Sequence, residues 1–375
     1  MIGIVTPYKT INYGTKLQAY AMQRLMSKYE DAELLGFISG SDSRISSVIG
    51  KMRLKISRRL AKNKSAVRTP EMKQRDKAIV GFDAHYKFGR VFKGNYELKK
   101  EVKKYSSVVC GSDQLWAPTN VIADYFTLTL IPDEINKFSY AASFGVNSVP
   151  ASMRNKYKKY LSRLNSISVR EEQGKKIVKD VAGLDAQVVL DPTLMLDKEE
   201  WAKLAEESSI KINEPYIFCY FLGTNKAHRD FAVKLASEKG MKLVTVPHFR
   251  EFAEADVDFG DTPLYNAGPV EFISLIANAS YVCTDSFHGT VFSVLFNRQV
   301  AVFERFKSTS SESTNSRIYT LLDSLGLKNQ LFHSESETRR FAESSIEYGD
   351  VISKLEALKA DSFRFLDKAI GHERN

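Results

Sequence analysis

The chain has 375 residues, 43% of them hydrophobic and 26% charged, which is typical of a folded globular protein and excludes a disordered one. A chain of this length is longer than a single hydrophobic core usually organises, so we expect two domains of about 150–200 residues each. The formal net charge is +9, and no apolar run approaches the roughly 20 residues that a membrane span needs.

The start of the chain and its cysteines indicate a cytoplasmic protein. The first five residues are apolar, and Pro7 follows soon after, so we expect a first core strand over 2–6. A basic stretch and a long apolar region, as in a signal peptide, are missing. The cysteines are few, far apart and odd in number, which fits neither a disulfide framework nor a zinc motif. They are Cys110, Cys219 and Cys283.

Short β-rich runs alternate with helical patterns along the whole chain, which predicts open α/β sheets covered by helices. The predicted strands cover 2–6, 107–110, 137–141, 166–169, 187–190, 216–222, 242–246, 281–284 and 300–303. The predicted helices cover 15–29, 152–164, 230–239, 269–277 and 351–370.

A polar turn connects the first strand to the first helix and contains Asn12 and Gly14. In open α/β sheets, ligands bind where strand ends lead into helix N-termini. The free N–H groups of such a helix can hold an anion. An ordinary helix N-cap is the alternative interpretation of Asn12.

The segment 51–77 contains eleven Lys and Arg residues against Glu71 and Asp76, and so accounts for the whole net charge of +9. One interpretation is a solvated insertion. Another is a cationic patch that binds an anionic membrane surface or a lipid-linked phosphate. Nucleic acid is the least favoured partner, because no aromatic interleaving or known binding motif accompanies the charge.

Two further strand ends carry polar residues. The first is followed by Asp113, Gln114 and Trp116, a combination that suits a sugar, since an aromatic face stacks on C–H groups while Asp and Gln bind hydroxyls. A buried turn is the alternative. Arg170 follows a later strand, either as an anion ligand or in a capping ion pair.

The domain boundary is expected after Asp191-Pro192, which ends a strand, and before Asn213-Glu214-Pro215, which opens the next block. We predict an N-terminal Rossmann-like domain over 1–192 with the basic insertion at about 51–77, a linker over 193–213, a C-terminal Rossmann-like domain over 214–345 and a terminal helix within 346–375.

The junction "TDSFHG" places Asp285, Ser286 and His288 between a predicted strand and an apolar helix. Helix capping explains one of these side chains but gives no reason for the imidazole, which exchanges protons near neutral pH. A structural histidine is the alternative.

Further on, a Ser/Thr-rich stretch is flanked by cations that suit a phosphate or carboxylate, unless it is a plain surface loop. These cations are Arg305, Lys307 and Arg317. Motifs for nucleotide loops, nucleophile elbows and zinc proteases are missing from the sequence, and no D-x-D is placed for a metal-bound nucleotide sugar.

Taken in order, seven pieces of the sequence resemble the polysaccharide pyruvyl transferase family, over roughly residues 2–322. They are "NYGTKLQAYAM", "VVCGSDQLW", "SYAASFG", "ISVREEQG", "VVLDPTLML", "TDSFHGTVFSVLF" and "KSTSSESTNSRI". The resemblance implies an α/β fold like that of GT-B glycosyltransferases, with two Rossmann-like domains facing a central cleft. It also implies transfer of pyruvate from phosphoenolpyruvate onto two hydroxyls of a sugar in a surface-polysaccharide precursor, such as exopolysaccharide or capsule. The products are a cyclic ketal and phosphate, and no metal or other cofactor is expected.

The resemblance assigns residue roles as well. The family's motif histidine falls on His288, which becomes the general acid, and Asp285 is expected to orient it or to act as a base. Some relatives have Arg-Leu directly before this histidine, where this chain has Ser286-Phe287, so one donor ligand is missing. The predicted donor-binding residues are Arg170, Ser286, Arg305, Lys307 and Arg317, and the predicted acceptor-binding residues are Asn12, Gly14, Asp113, Gln114 and Trp116.

Other functions remain open at this point. One is a GT-B glycosyltransferase that uses a nucleotide sugar, and another is a non-catalytic saccharide-binding protein of the same fold. A small thiol or amine acceptor fits the motifs equally well. The expected partners are phosphoenolpyruvate, a sugar or a lipid-linked or nucleotide-linked oligosaccharide precursor, and the inner face of the membrane, with no nucleic acid.

Overall fold

A computed structural model of the chain describes residues 1–38, 69–121, 124–247, 253–306 and 315–371. Two parallel sheets dominate this part of the chain, one in each half. The first has the order β3-β2-β1-β4-β5 and the second the order β10-β9-β8-β11-β12-β13. A two-stranded sheet, β6-β7, lies beside β5 through a bridge between Phe138 and Ser166.

The strands are β1 (Ile2–Val5), β2 (Ala32–Ile38), β3 (Phe88–Lys93), β4 (Ser107–Cys110), β5 (Asn136–Ser139), β6 (Ser168–Val169), β7 (Gln187–Val188), β8 (Tyr216–Tyr220), β9 (Lys242–Thr245), β10 (Thr262–Pro263), β11 (Tyr281–Thr284), β12 (Gln299–Phe303) and β13 (Leu331–Phe332).

The α-helices are α1 (Tyr13–Met26), α2 (Pro70–Gly81), α3 (Gly94–Glu101), α4 (Arg154–Leu161), α5 (Glu172–Ala182), α6 (Lys198–Glu206), α7 (Lys226–Lys239), α8 (Pro269–Asn278), α9 (Phe287–Leu295), α10 (Ser316–Ser324), α11 (Thr338–Glu343) and α12 (Tyr348–Ile370). Short 3-10 helices cover 82–85, 102–104, 151–153, 192–195, 254–256, 328–330 and 335–337.

Both faces of the first sheet are buried, as parallel sheets require. Ile4 and Val109 pack into one apolar cluster, while the neighbouring Val5 and Val108 pack into another. The predicted strands are confirmed to within a few residues. Four strands were missed, the inner strand β2 and the edge strands β3, β10 and β13. The edge strands are very short or have exposed side chains that weaken the apolar pattern.

The two halves share one of their apolar clusters. The ring of Tyr13 stacks on Phe272 with 4.8 Å between centroids, and its hydroxyl donates to the Ala267 carbonyl at 2.6 Å. The terminal helix α12 returns to the first half, where Asn136 Nδ2 donates to the Ala369 carbonyl at 2.8 Å. The described parts of the two halves are therefore packed together where their strand ends meet.

Residues 51–68 of the basic segment lie outside the described residues. The remainder, 69–77, leads into α2, which Thr69 caps by accepting the Met72 N–H at 3.3 Å. Arg75 Nη1 then reaches the Pro247 carbonyl of the second half at 3.1 Å. Within the described ranges, no helix combines the length and apolarity that a membrane crossing requires.

Candidate active site

Two helix N-termini meet between the halves, α1 after the central strand β1 and α9 after the central strand β11. Asn12 caps α1 by accepting the Thr15 N–H at 3.1 Å, and Ser286 caps α9 by accepting the Gly289 N–H at 3.3 Å. The N-cap interpretation of Asn12 is thus confirmed. Ser286 has the same role, so its predicted contact with the donor has to compete with a structural hydrogen bond.

His288 lies in the first turn of α9, directly against the first turn of α1. A Cβ atom added to Gly14 would stand only 2.0 Å from His288 Nδ1, so at this position any side chain would displace the imidazole. His288 is 8% exposed, and its Nε2 makes no hydrogen bond to any residue that the structure describes. Burial lowers the pKa of His288 to about 4, with Arg170 and Arg317 acting in the same direction and Asp191 and Asp113 against it.

Asp191 is the carboxylate that faces His288, with Oδ1 at 3.8 Å from Nε2. Its Oδ1 accepts Thr193 Oγ1 at 2.6 Å, and its Oδ2 accepts Ser112 Oγ at 2.9 Å and Arg170 Nη1 at 2.7 Å. Burial would raise the pKa of Asp191, but Arg170 and His288 lower it to about 2. Asp191 was missed as a site residue, although its position at a strand end was a usable signal.

Of the two roles predicted for Asp285, the structure contradicts the orientation of His288, while its role as a base stays a prediction. Its carboxylate accepts the N–H groups of Leu222 at 2.7 Å and Gly223 at 2.8 Å, and so fixes the loop after β8. Arg305 approaches it as well, with Nη2 at 3.4 Å from the Asp285 carbonyl. The prediction that Asp285 orients His288 is therefore corrected, because Asp191 occupies that place.

Two buried guanidinium groups lie close to His288. Arg170 Cζ lies 4.5 Å from the centre of the Phe287 ring, and Arg317 Cζ lies 5.8 Å from it. Burial and the nearby Arg170 lower the pKa of Arg317 to about 9. Arg170 is bonded to Asp191, but its Nε and Nη2 make no hydrogen bond among the described residues. The carboxylates of Asp191 and Asp113 lie beside Arg170, so the two guanidinium groups belong to a mixed cluster of buried charges.

The other predicted cations are distributed differently. Arg305 stands next to Asp285, with Nε at 4.0 Å from Oδ1, and its Cζ lies 5.8 Å from the centre of the Phe306 ring. Lys307 lies outside the described residues. Among the predicted donor-binding cations in the described residues, Arg170 and Arg317 lie against Phe287, next to His288.

Among the predicted acceptor residues, Asp113 joins the same cluster. Its Oδ2 accepts Thr15 Oγ1 at 2.9 Å, and its Oδ1 lies 3.6 Å from Arg170 Nη2. Burial would raise the pKa of Asp113, but Arg170, His288 and Arg317 together lower it. Gln114 is half-buried against Gly145.

Trp116 belongs to the core and not to a sugar site. It is fully buried, its ring packs against Phe144 and Tyr160, and its Nε1 donates to the Phe126 carbonyl at 3.3 Å. The prediction that it stacks on the acceptor is therefore corrected, and the buried-turn alternative describes it better.

We expect Trp116→Ala to lower the free energy of unfolding by about 3–5 kcal/mol, because it empties a buried site. Trp116→Phe should lose much less, since it keeps most of the ring. Urea unfolding and acceptor KM of the Phe variant separate the two roles. A raised KM with unchanged stability would show that Trp116 does contact the acceptor.

Glu171 was missed by sequence reasoning, although it directly follows Arg170. Its Oε1 accepts Ser143 Oγ at 2.9 Å and the Phe144 N–H at 3.2 Å. Burial raises the pKa of Glu171, and Arg170 and Arg317 oppose the shift. A cavity of about 560 Å³ borders this cluster through Arg170 and Asp191. In the described part of the chain, no group of three His, Cys, Asp or Glu residues is arranged to hold a metal ion.

The low pKa of His288 predicts a stability that depends on pH. The folded state keeps the ring neutral down to about pH 4, whereas an unfolded histidine takes up a proton below about 6.5. Stability is therefore fully present above pH 6.5 and falls as the pH drops from 6.5 towards 4. Between pH 7 and pH 5, His288 alone should account for a loss of about 2 kcal/mol. Chemical unfolding of the wild type and His288→Gln at both pH values measures this, and equal losses in the two proteins would contradict it.

Comparison with known proteins agrees with this architecture. The polysaccharide pyruvyl transferase family matches the chain over residues 12–306. No curated protein sequence gives a significant match. Among solved structures, S. aureus MnaA with UDP is similar with a TM-score of 0.52 and 11% identity, over 99% of this chain and 97% of that one.

AviGT4, a glycosyltransferase involved in avilamycin A biosynthesis, is similar with a TM-score of 0.50 and 12% identity, over 98% of this chain and 96% of that one. At these identities the likeness concerns the fold alone, and it confirms the predicted GT-B-like α/β fold with two Rossmann-like domains. Since the family match covers most of the chain and includes the strand ends that carry Asp191 and His288, this protein belongs to the polysaccharide pyruvyl transferase family.

Proposed function

We propose that this protein transfers the pyruvyl group of phosphoenolpyruvate to two hydroxyls of a sugar in a surface-polysaccharide precursor, forming a cyclic ketal. One observation carries the proposal: the buried His288 Nε2 has no hydrogen-bond partner among the described residues and lies close to the buried guanidinium groups of Arg170 and Arg317. This arrangement suits a small ligand that carries several negative charges and has to receive a proton.

The donor's carboxylate and phosphate would bind to Arg170 and Arg317. Guanidinium groups pair with such anions through two parallel hydrogen bonds. Phe287 supports this arrangement, because the face of its ring attracts both cations, at 4.5 and 5.8 Å. Where some relatives have an arginine before the motif histidine, this chain would thus use an aromatic ring to hold Arg170, which follows β6, and Arg317, in α10.

His288 would deliver a proton to C3 of the bound donor. Without ligand its pKa is about 4, so the ring is neutral near pH 7. The donor's negative charges would offset Arg170 and Arg317, which raises the proton affinity of the ring, and Asp191 would stabilise the imidazolium. Binding of the donor would therefore favour the protonated form of His288, which is the acid that the reaction requires.

The remaining steps balance in atoms and charge. Protonation of C3 makes C2 electrophilic, one sugar hydroxyl attacks C2, the C2–O bond to phosphate breaks, and the second hydroxyl closes the ring. Of the two hydroxyl protons, one replaces the proton that His288 gave to C3, and the other leaves with phosphate. No redox step occurs, and we propose that no metal or other cofactor takes part.

The acceptor would reach the donor from the 560 Å³ cavity that Arg170 and Asp191 border. Glu172, Gln187 and Asp361 also line it, and carboxylate and amide groups bind sugar hydroxyls well. This moves the acceptor site away from Asn12 and Trp116, which have structural roles. We further propose that the enzyme works at the cytoplasmic face of the membrane, on an exopolysaccharide or capsule precursor, with the basic segment 51–77 binding the anionic surface.

Phosphate release from phosphoenolpyruvate, measured with a panel of glycan precursors, tests the proposal. We expect release that depends on the acceptor, and a product whose mass and NMR spectrum show a pyruvyl ketal. Release of a nucleoside diphosphate from sugar nucleotides, with none of phosphate from phosphoenolpyruvate, would show that the protein is a glycosyltransferase instead.

A further inference from the structure

A second cavity, of about 370 Å³, opens in the C-terminal half where β8, β12 and β13 end. Its walls include Thr224, before helix α7, and His228, in the first turn of α7. Arg305 and His333, which follow β12 and β13, also line it. The proposed transfer of pyruvate does not use this cavity, although strand ends of an open α/β sheet are where ligands bind.

The hydrogen bonds around His228 determine which of its nitrogens carries the proton. Asn225 Oδ1 accepts the Ala227 N–H at 3.1 Å, so it is the amide Nδ2, a donor, that faces His228 Nε2 at 3.0 Å. Nε2 must therefore accept, and the proton of the neutral ring is on Nδ1. Burial lowers the pKa of His228 to about 4, which keeps the ring neutral near pH 7.

His228 Nδ1–H is a buried donor for which the described residues provide no acceptor. The residue is 3% exposed, and its ring is held against Phe303 with 4.7 Å between centroids. A buried donor without a partner destabilises the unliganded protein, so a ligand that accepts this hydrogen bond should bind more tightly.

Several other groups of the cavity can donate hydrogen bonds. Arg305 contributes a guanidinium group, Thr224 a hydroxyl and His333 an imidazole, and the N-terminus of α7 adds backbone N–H groups. The acid of the cavity, Glu304, accepts a hydrogen bond from the Tyr319 hydroxyl. Arg305 also lies beside Asp285, with Nε at 4.0 Å from Oδ1. Because donors outnumber the one carboxylate in the lining, the cavity favours a ligand whose oxygens accept hydrogen bonds. The volume is larger than one phosphate needs and at the lower end of ordinary ligand sites.

We propose that this cavity binds the diphosphate group of an activated sugar, held by His228 Nδ1–H, Arg305 and the N-terminus of α7. A nucleoside diphosphate and a polyprenyl diphosphate share this chemistry. The statement that this diphosphate belongs to the carrier of the acceptor sugar rests on the proposed function. Diphosphate binding at His228 does not depend on that function.

Isothermal titration of the full chain with inorganic pyrophosphate, in saturating phosphoenolpyruvate, tests the site. We expect binding that weakens at least about 10-fold in His228→Phe, which keeps the ring's shape and removes the donor. The matched control is His85→Phe, at a half-buried histidine of the first half, which should bind like the wild type. His333→Ala, at an exposed position, should weaken binding a few-fold, and it decides the matter if His228→Phe does not fold.

Two further ligands distinguish the sources of the diphosphate. Tighter binding of UDP than of pyrophosphate indicates a nucleotide carrier, and tighter binding of farnesyl diphosphate indicates a lipid carrier. Either gain should vanish in His228→Phe. Unchanged pyrophosphate binding in both His228→Phe and His333→Ala, or its complete displacement by phosphoenolpyruvate, overturns the proposal.

The two proposals can fail separately. A protein that releases phosphate from phosphoenolpyruvate but does not bind pyrophosphate lacks the second site only. A protein that binds pyrophosphate through His228 but never releases phosphate from phosphoenolpyruvate keeps the site and loses the proposed reaction.

Discussion

His288→Gln should lower kcat by about 10²–10⁴-fold, the range ascribed to one general acid. Glutamine places an amide close to the position of Nε2 but cannot deliver a proton, while Asp191 and Arg170 keep their mutual bond at 2.7 Å. Donor binding should therefore survive while turnover is lost. Initial rates of phosphate release, together with titration of phosphoenolpyruvate in the absence of acceptor, separate these two effects.

The matched control is His85→Gln, in which a half-buried histidine bonded to the Phe82 carbonyl at 3.1 Å is replaced. It should leave kcat unchanged. Asp191→Asn should also reduce kcat, because it removes the negative charge that faces the imidazole, and its effect should become smaller when His288 is already glutamine. Wild-type rates in His288→Gln would remove His288 from the mechanism.

Gly14→Ala should lower kcat by about 10²-fold, the cost of moving a catalytic group by about 1 Å. The added Cβ would stand 2.0 Å from Nδ1, 2.6 Å from Cγ and 2.8 Å from Cε1 of His288, so the imidazole or the start of α1 has to move. The loss cannot come from helix propensity, because alanine favours a helix over glycine by about 1 kcal/mol. Initial rates and the melting temperature measure the two parts of the effect.

Gly81→Ala is the control for Gly14→Ala, since an added Cβ at this helical glycine meets no atom within 4 Å. It should keep full activity. In the His288→Gln background, Gly14→Ala should cost little further activity, because the group that it displaces no longer works. Equal losses in the two backgrounds would show that Gly14 acts on something other than the imidazole.

Asp191 and Asp285 show why a carboxylate cannot be assigned from its distance along the chain. Asp285 lies three residues before His288, yet it accepts the N–H groups of Leu222 and Gly223. Asp191 is nearly a hundred residues away in sequence, and it faces the ring at 3.8 Å. Asp285, the first residue after β11, points to the loop that follows β8. The carboxylate that faces the histidine is Asp191, from the end of the first half.

The pattern of the sequence was sufficient to predict the fold class and most strand positions, and it singled out His288 as the candidate catalytic residue. Alternating apolar runs and helical patterns reveal parallel sheets, since such strands are buried on both faces. Capping left the imidazole unexplained, and it is this residue that the structure finds buried and without a hydrogen-bond partner among the described residues. The family motifs at the strand ends were sufficient to predict the GT-B-like α/β architecture.

Which side chains meet in the site depends on the packing of the two halves and could not be predicted from the sequence. The residues around Trp116 are typical of a sugar-binding site, but its side chain packs into the core. The sequence does not show which side of a turn is buried. Arg170 and Arg317 come from opposite halves and meet at Phe287. Asp191 reaches His288, and Gly14 admits the ring, because two helix N-termini converge between the sheets. These contacts join residues far apart in the chain, and their distances depend on the packing of whole elements, which no local pattern encodes.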